Sequence, residues 1–248
     1  MEDILNNISY LHIFLACLIV FIASLAQSIF GMGWGLIAAP LLALLDPTLI
    51  PGTIVFLGFF AAFYPSIIYH KDVNWQIFRP SILGRFLGSV IAGPITAYLI
   101  ATNKIELILG IVLIVTILIS MTKIGKIKQN QKNHFIAGTF SGILGTLVGV
   151  GGTPMGIIHQ NNDPIMVRAN NNVFFMTGSI ISIIILLVAD VMQSYHIIMG
   201  VMLLPPLFLA SLVAKYFIKY TKNFLKPYIL ITCTVSSIGL VLRGLDLI

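Results

Sequence analysis

Charge is what this chain has least of. Asp, Glu, Lys and Arg make up 9% of its 248 residues and 58% are hydrophobic, with a mean hydropathy of +1.02; soluble domains carry about 25% charged residues. A water-soluble globule of this composition would have too few charges to cover its surface. That excludes a soluble enzyme, a disordered chain and a coiled coil. Cysteine is equally scarce. Cys17 and Cys233 both lie inside apolar runs, read as small buried hydrophobes, and exclude a disulfide scaffold. Also missing are HExxH, GxSxG, a Walker A loop, a carboxylate pair deep in an apolar run, and metal-ligand spacing among the five histidines. The chain is therefore expected not to be an enzyme and to use no metal or other cofactor. A basic n-region is absent too: Glu2 and Asp3 open the chain, so the first apolar run reads as an uncleaved span rather than a signal peptide. What remains is a polytopic membrane protein.

Long apolar runs are abundant. A bilayer core of about 30 Å needs about 20 helical residues. Candidates lie at 10–30, 52–69, 79–101 and 106–121, and again at 135–149, 172–188, 196–218 and 227–243. None shows the period-2 alternation of barrel strands, so helices are expected throughout. Two further apolar stretches, Leu36 to Leu45 and Pro154 to His159, are too short to span. Each follows a glycine cluster (Gly31, Gly33 and Gly35; Gly149, Gly151 and Gly152) and precedes a polar, proline-containing turn, Asp46-Pro47 or Asp163-Pro164. They read as half-helices or re-entrant segments. The clusters lie 118 residues apart, so one unit of four long helices and a half-helix occurs twice. This predicts a first repeat at 1–121, a basic linker at 122–133 and a second repeat at 134–248.

The net charge of +6 has a place in this scheme. Lys and Arg concentrate in cytoplasmic loops. With the linker (Lys123, Lys126, Lys128, Lys132) inside, the same side receives Lys71, Arg79, Arg168, Lys215, Lys219, Lys222 and Lys226. Only Lys104 and Arg243 fall outside, and Arg85 lies within a span. Both termini are then expected outside the cytoplasmic membrane, and no nucleic-acid partner is needed to explain the basicity. Corresponding loops of the two repeats fall on opposite sides, Lys71 and Arg79 inside against Asp190 outside. The repeats must therefore be inverted. Inverted repeats with broken helices are the architecture of secondary transporters, which bind substrate where the half-helices meet.

A helix N-terminus presents unpaired N–H groups and a partial positive charge, and glycine lets a ligand approach them. Two such starts, after Gly31-Met32-Gly33-Trp34-Gly35 and Gly149-Val150-Gly151-Gly152-Thr153, would cradle a small anion. Thr153 is suited to the N-cap and Pro154 to the first helical position. Gln27 and Ser28 before the first break and Thr146 before the second could hydrogen-bond an oxyanion, or join helices. Asn170 and Asn171, with Asn172, open the helix after the second half-helix and are offered as site residues or caps. Arg85 is either an electrostatic helper of the site or a side chain snorkelling to the headgroups. Gly84-x3-Gly88-x3-Ala92 and Gly138-x3-Gly142 are packing faces, and the first could meet a second copy as a homodimer. His159 reads as structural or interfacial; His12, His70, His134 and His196 are scattered near span ends. Trp75 reads as an interfacial anchor.

These residues resemble the sulfite exporter TauE/SafE family of membrane permeases, which carries Gly-x-Gly-Gly-Gly followed by Pro once per half. The first copy reads Gly31 to Pro40, with Trp34 in place of the middle glycine. The second reads Gly149 to Pro154, with Thr153 in place of the last glycine and the proline moved up. Arg168-Ala169 and Val73-Asn74-Trp75 look like further landmarks, and the similarity runs from about residue 12 to 244. The resemblance implies transport of a small sulfur-containing or organic anion such as sulfite, a sulfonate or sulfoacetate.

The leading expectation is thus a secondary transporter of a small anion, partnered by lipid and its substrate. The alternatives are a channel or a carrier of a neutral or cationic solute, an intramembrane enzyme, and a structural or assembly protein whose glycine breaks pack with no cavity between them.

Overall fold

In lipid, backbone N–H and C=O groups find no water, so the chain must satisfy them within helices. The structure, a computed structural model, describes residues 10–121, 127–159, 162–217, 241–242 and 245. Among these the chain forms α1 (Tyr10–Phe30), α2 (Trp34–Leu45), α3 (Gly52–Tyr69), α4 (Trp75–Ala101), α5 (Ile105–Met121), α6 (Gln131–Val148), α7 (Gly152–His159), α8 (Pro164–Val188), α9 (Ser194–Met202) and α10 (Leu204–Phe217), and no strand. The protein is all-helical. Tyr10–Phe30, Gly52–Asp72, Trp75–Ala101 and Pro164–Val188 are long and apolar enough to cross a membrane, and α9 with α10 makes a fifth candidate. The order long helix, break, short helix, long helix occurs at α1–α3 and again at α6–α8.

Several boundaries differ from expectation, and caps explain them. The helix expected at 79 starts at Trp75, where the Asn74 carboxamide oxygen accepts from Gln76 N at 3.0 Å. The helix expected at 135 starts at Gln131 behind an Asn130 cap that accepts from Asn133 N at 2.8 Å. The expected linker thus ends in helix. The helix expected at 172 starts at Pro164, because Asp163 Oδ1 accepts from Ile165 N at 2.8 Å and proline suits the first helical position. Asn170, Asn171 and Asn172 therefore lie inside α8 and do not open it. The 196–218 span is two helices bent by 47° around Leu203, just before Pro205-Pro206. Of the linker, 122–126 lies outside the described residues. So does the 227–243 span, apart from 241–242.

Polarity is distributed as lipid demands. On α4, Ser81, Gly84, Arg85, Gly88, Ser89, Ala92 and Thr96 are buried, while Leu83, Phe86, Leu87, Val90, Ile91 and Ile95 face outward. Small and polar residues fill helix contacts and large apolar ones cover the outer surface, because burying apolar side chains between helices gains little when lipid is equally apolar. The tightest contact is α4 on α6. A Cβ at Gly84 or Gly88 would strike the α6 backbone at Phe135 and Thr139, and one at Gly138 or Gly142 the α4 backbone at Ser81 and Arg85. This occupies the small-residue face offered above for a second copy, so a homodimer through Gly84 and Gly88 loses its surface. With α3 on α8 and α1 on α10 as well, helices from before and after the linker interleave.

Candidate functional site

Both breaks are made by residues that only glycine tolerates well. Gly33, the N-cap of α2, has φ 117°, and Gly149, which ends α6, has φ 78°. Close approach matters as much. A Cβ on Gly35 would collide with the Gly149 carbonyl oxygen, so the start of α2 lies directly against the second break. The two starts converge on one cavity of about 40 Å³, lined by Gly33, Trp34, Gly35, Gly149, Gly151 and Gly152, with Gln27 and Arg85. One water needs about 10–15 Å³ by this measure, so the space suits a few waters or one compact anion. A drug-sized ligand needs several hundred Å³.

Arg85 is the formal charge at this cavity. It does not snorkel: it is 4% exposed, held between α4, α6 and α8. Nη1 donates to Ser141 O at 2.5 Å and to Ser141 Oγ at 3.0 Å, and Nη2 donates to Ser182 Oγ at 3.2 Å. The Phe174 ring centroid lies 5.8 Å from Cζ. All these partners are neutral. Of the five guanidinium N–H donors, these bonds use three, and buried Nε has no partner. Room for the group comes from three glycines, since a Cβ at Gly145, Gly151 or Gly178 would lie under 3.0 Å from its atoms. Removing a charge from water without a counter-charge is costly, and this site leaves that cost standing.

The other expected site residues separate into those at the cavity and those that serve it from behind. Gln27 crosses the first break: its Oε1 accepts from Trp34 N at 3.3 Å and its Nε2 donates to Asn172 Oδ1 at 2.8 Å. It thus satisfies one of the first-turn N–H groups of α2, which lack intrahelical acceptors. Trp34 lines the cavity, and its indole N–H donates to Ile54 O at 3.0 Å. Trp34→Phe should lower stability by about 1 kcal/mol, the net worth of one such bond, read as a shift of a few degrees in thermal unfolding. Thr146 lies behind Arg85, its hydroxyl 2.9 Å from Ser89 Oγ and 2.7 Å from Ser182 Oγ.

Elsewhere the placement departs from the cradle. Ser28 faces Ser211 on α10, 3.4 Å away. Gly31 packs under the Arg168 backbone, and Arg168 Nε donates to Ile29 O at 2.6 Å, satisfying a carbonyl at the end of α1. Asn170 Oδ1 accepts from Asn74 N at 3.1 Å and its Nδ2 donates to Met166 O, which ties α8 to the start of α4. Asn171 pairs with His159 at 2.7 Å. Thr153 does not cap α7: the helix already begins at Gly152, and its buried hydroxyl has no partner.

Sequence reasoning missed Ser141, Ser182, Gly145, Gly178 and Phe174. Their signal was spacing: Gly138, Ser141, Gly142 and Gly145, like Ser179 and Ser182, recur at three and four residues along one helical face. What that face would meet was not visible. Among the described residues no cluster of three metal-ligating side chains occurs.

The model of the family described as Sulfite exporter TauE/SafE matches residues 16–240. Comparison with curated proteins returned no match, and neither did comparison with solved structures. With nearly the whole chain matched, the protein belongs to the sulfite exporter TauE/SafE family, which makes it a multi-pass membrane transporter of sulfite-type anions at the level of the family.

Proposed function

We propose that the protein carries a compact oxyanion of the sulfite type across the cytoplasmic membrane by alternating access, and that the anion binds in the cavity between the two glycine breaks. The observation that carries this reading is the buried, charge-unpaired Arg85 with a spare donor at a cavity where two helix starts meet. A bound anion would accept from the guanidinium and from first-turn N–H groups of α2 and α7, and would offset the cost of burying the cation. The same charge opposes a cation at this place. The cavity volume favours sulfite over bulkier organic anions.

The inversion expected of the two repeats would let such a site open to either side. Helices α1 to α4 and α6 to α8 both contribute to the cavity, so a shift of the other helices about the tightly packed α4–α6 pair would expose it alternately. The lysines of the linker lead us to expect it in the cytoplasm. The proposal is tested by reconstituting the chain in liposomes and following labelled sulfite, sulfoacetate and simple carboxylates. Saturable sulfite flux above empty vesicles is expected, reduced at least tenfold by Gly151→Val, whose side chain would occupy the space of the guanidinium. If no anion moves faster than in empty vesicles, the reading fails.

A further inference from the structure

One buried polar cluster has no part in the anion cavity. His134 on α6 and His159 at the end of α7 are 0% and 1% exposed, with ring centroids 5.3 Å apart. His159 Nδ1 donates to Asn171 Oδ1 at 2.7 Å, which leaves the Nε2 lone pair buried and without a partner. His134 Nδ1 lies 3.3 Å from Ser81 Oγ and its Nε2 3.0 Å from Oε1 of Gln129, an exposed residue through which solvent comes within one side chain of the pair. His159 also borders a crevice with Ser81, Asn170 and Phe174 that has no room for a water molecule. Phe174, completely buried, is shared: it borders this crevice and lies over Arg85.

We propose that the His134–His159 pair is a proton-binding site that couples proton movement to anion transport through α7. The crevice excludes an anion or a water, so the ligand that suits the orphan lone pair is a proton. Binding forms one N–H bond at Nε2 and breaks one O–H bond of hydronium at the solvent side; release reverses both, with no other atom or electron exchanged. Helix α7 has the polarity the coupling needs. Its first residue, Gly152, lines the anion cavity, and His159 is its last residue, where the partial negative charge favours imidazolium. Eight residues make about 12 Å of helix. At that distance, with an effective dielectric of about 20, opposite charges tighten each other's binding about tenfold. The effect is reciprocal.

Apart from His134, the groups that face His159 are neutral. From α4 and α8 come the neutral Ser81, Asn170 and Asn171. His134 on α6 is the titratable neighbour, and it limits the pair to one added charge. Lys128 in the preceding segment is exposed, Arg168 is bound to Ile29 O, and Arg85 lies beyond Phe174. No carboxylate among the described residues faces the pair.

The proposal rests on the transport reading, and the test separates the two. In liposomes, exchange of labelled sulfite at equal pH on both sides reports transport. Net flux under an imposed gradient of one pH unit, with a trapped pH dye, reports coupling. Wild type should show exchange, a net flux about tenfold faster with the gradient than without, and a matching proton movement. His159→Gln and His134→Gln should respond to the gradient less than twofold, with exchange slowed no more than about threefold. Gradient-driven flux that persists in both variants would mean that the proton travels on sulfite itself and would overturn the proposal. So would wild-type exchange with no gradient response, a result that stands even if neither variant folds. Absence of exchange in wild type removes the transport reading, and this one with it.

Discussion

Arg85→Gln should abolish sulfite flux, by at least a hundredfold, while leaving the empty protein folded and melting within a few degrees of wild type. Truncating one partner of a buried, hydrogen-bonded charge pair costs about 2–5 kcal/mol, and a hundredfold corresponds to about 2.7 kcal/mol. The stability side of the expectation follows from the surroundings. Ser141 Oγ keeps its bond to Gly151 O, and Ser182 Oγ keeps Thr146. Removing the guanidinium therefore orphans neither hydroxyl and relieves an uncompensated buried charge. Arg85→Lys should also fail, because an ammonium cannot reach the partners on α6 and α8 and still present a planar donor set to an oxyanion. Thermal unfolding with and without sulfite checks both halves. Wild type should be stabilised by millimolar sulfite and Arg85→Gln should not. A variant that melts far below wild type without substrate would make Arg85 a structural residue.

Gly138→Ala is expected to be among the most damaging single methyls at the described residues. Its Cβ would lie far inside van der Waals contact with the Ser81 carbonyl oxygen, and a backbone atom cannot swing away as a side-chain tip can. The α4–α6 pair would have to separate, with a cost of about 3 kcal/mol or more and a fall in melting temperature of roughly 10 °C. Separation would also carry Arg85 away from Ser141. Gly152→Ala is the contrasting change, since its Cβ would meet only Phe175 Cζ at 3.8 Å, an ordinary contact. Melting curves in one detergent decide the matter. If Gly138→Ala unfolds with Gly152→Ala, the two helices do not pack backbone to backbone.

Helix positions were legible because lipid solvation writes them into composition. Runs such as Tyr10–Phe30 admit one reading when backbone groups have no water to bond. The glycine breaks were legible for a related reason: three small residues in five, followed by a short apolar stretch, cannot continue a span. Helix starts were less so, and each miss was a cap. Asn74, Asn130 and Asp163 extended their helices over polar residues that hydropathy assigns to loops. The three asparagines of α8 were consequently misplaced, and their side chains serve three different neighbours.

The chain's poverty in charge determined by itself that this is a polytopic helical membrane protein, and its two glycine clusters marked the half-helices and the family. Tertiary structure alone decided where Arg85 and the histidines sit and what they touch. From sequence Arg85 stood near a span end, free to snorkel, and His134 and His159 were isolated residues 25 positions apart. Packing of α4 against α6, allowed by glycines on both helices, turned Arg85 inward to the cavity between the breaks. Packing of α7 between α6 and α8 brought the histidines together. Local composition sets whether a segment enters the membrane; which of its faces meets which neighbour depends on contacts between residues far apart in the chain, and hydropathy does not encode them.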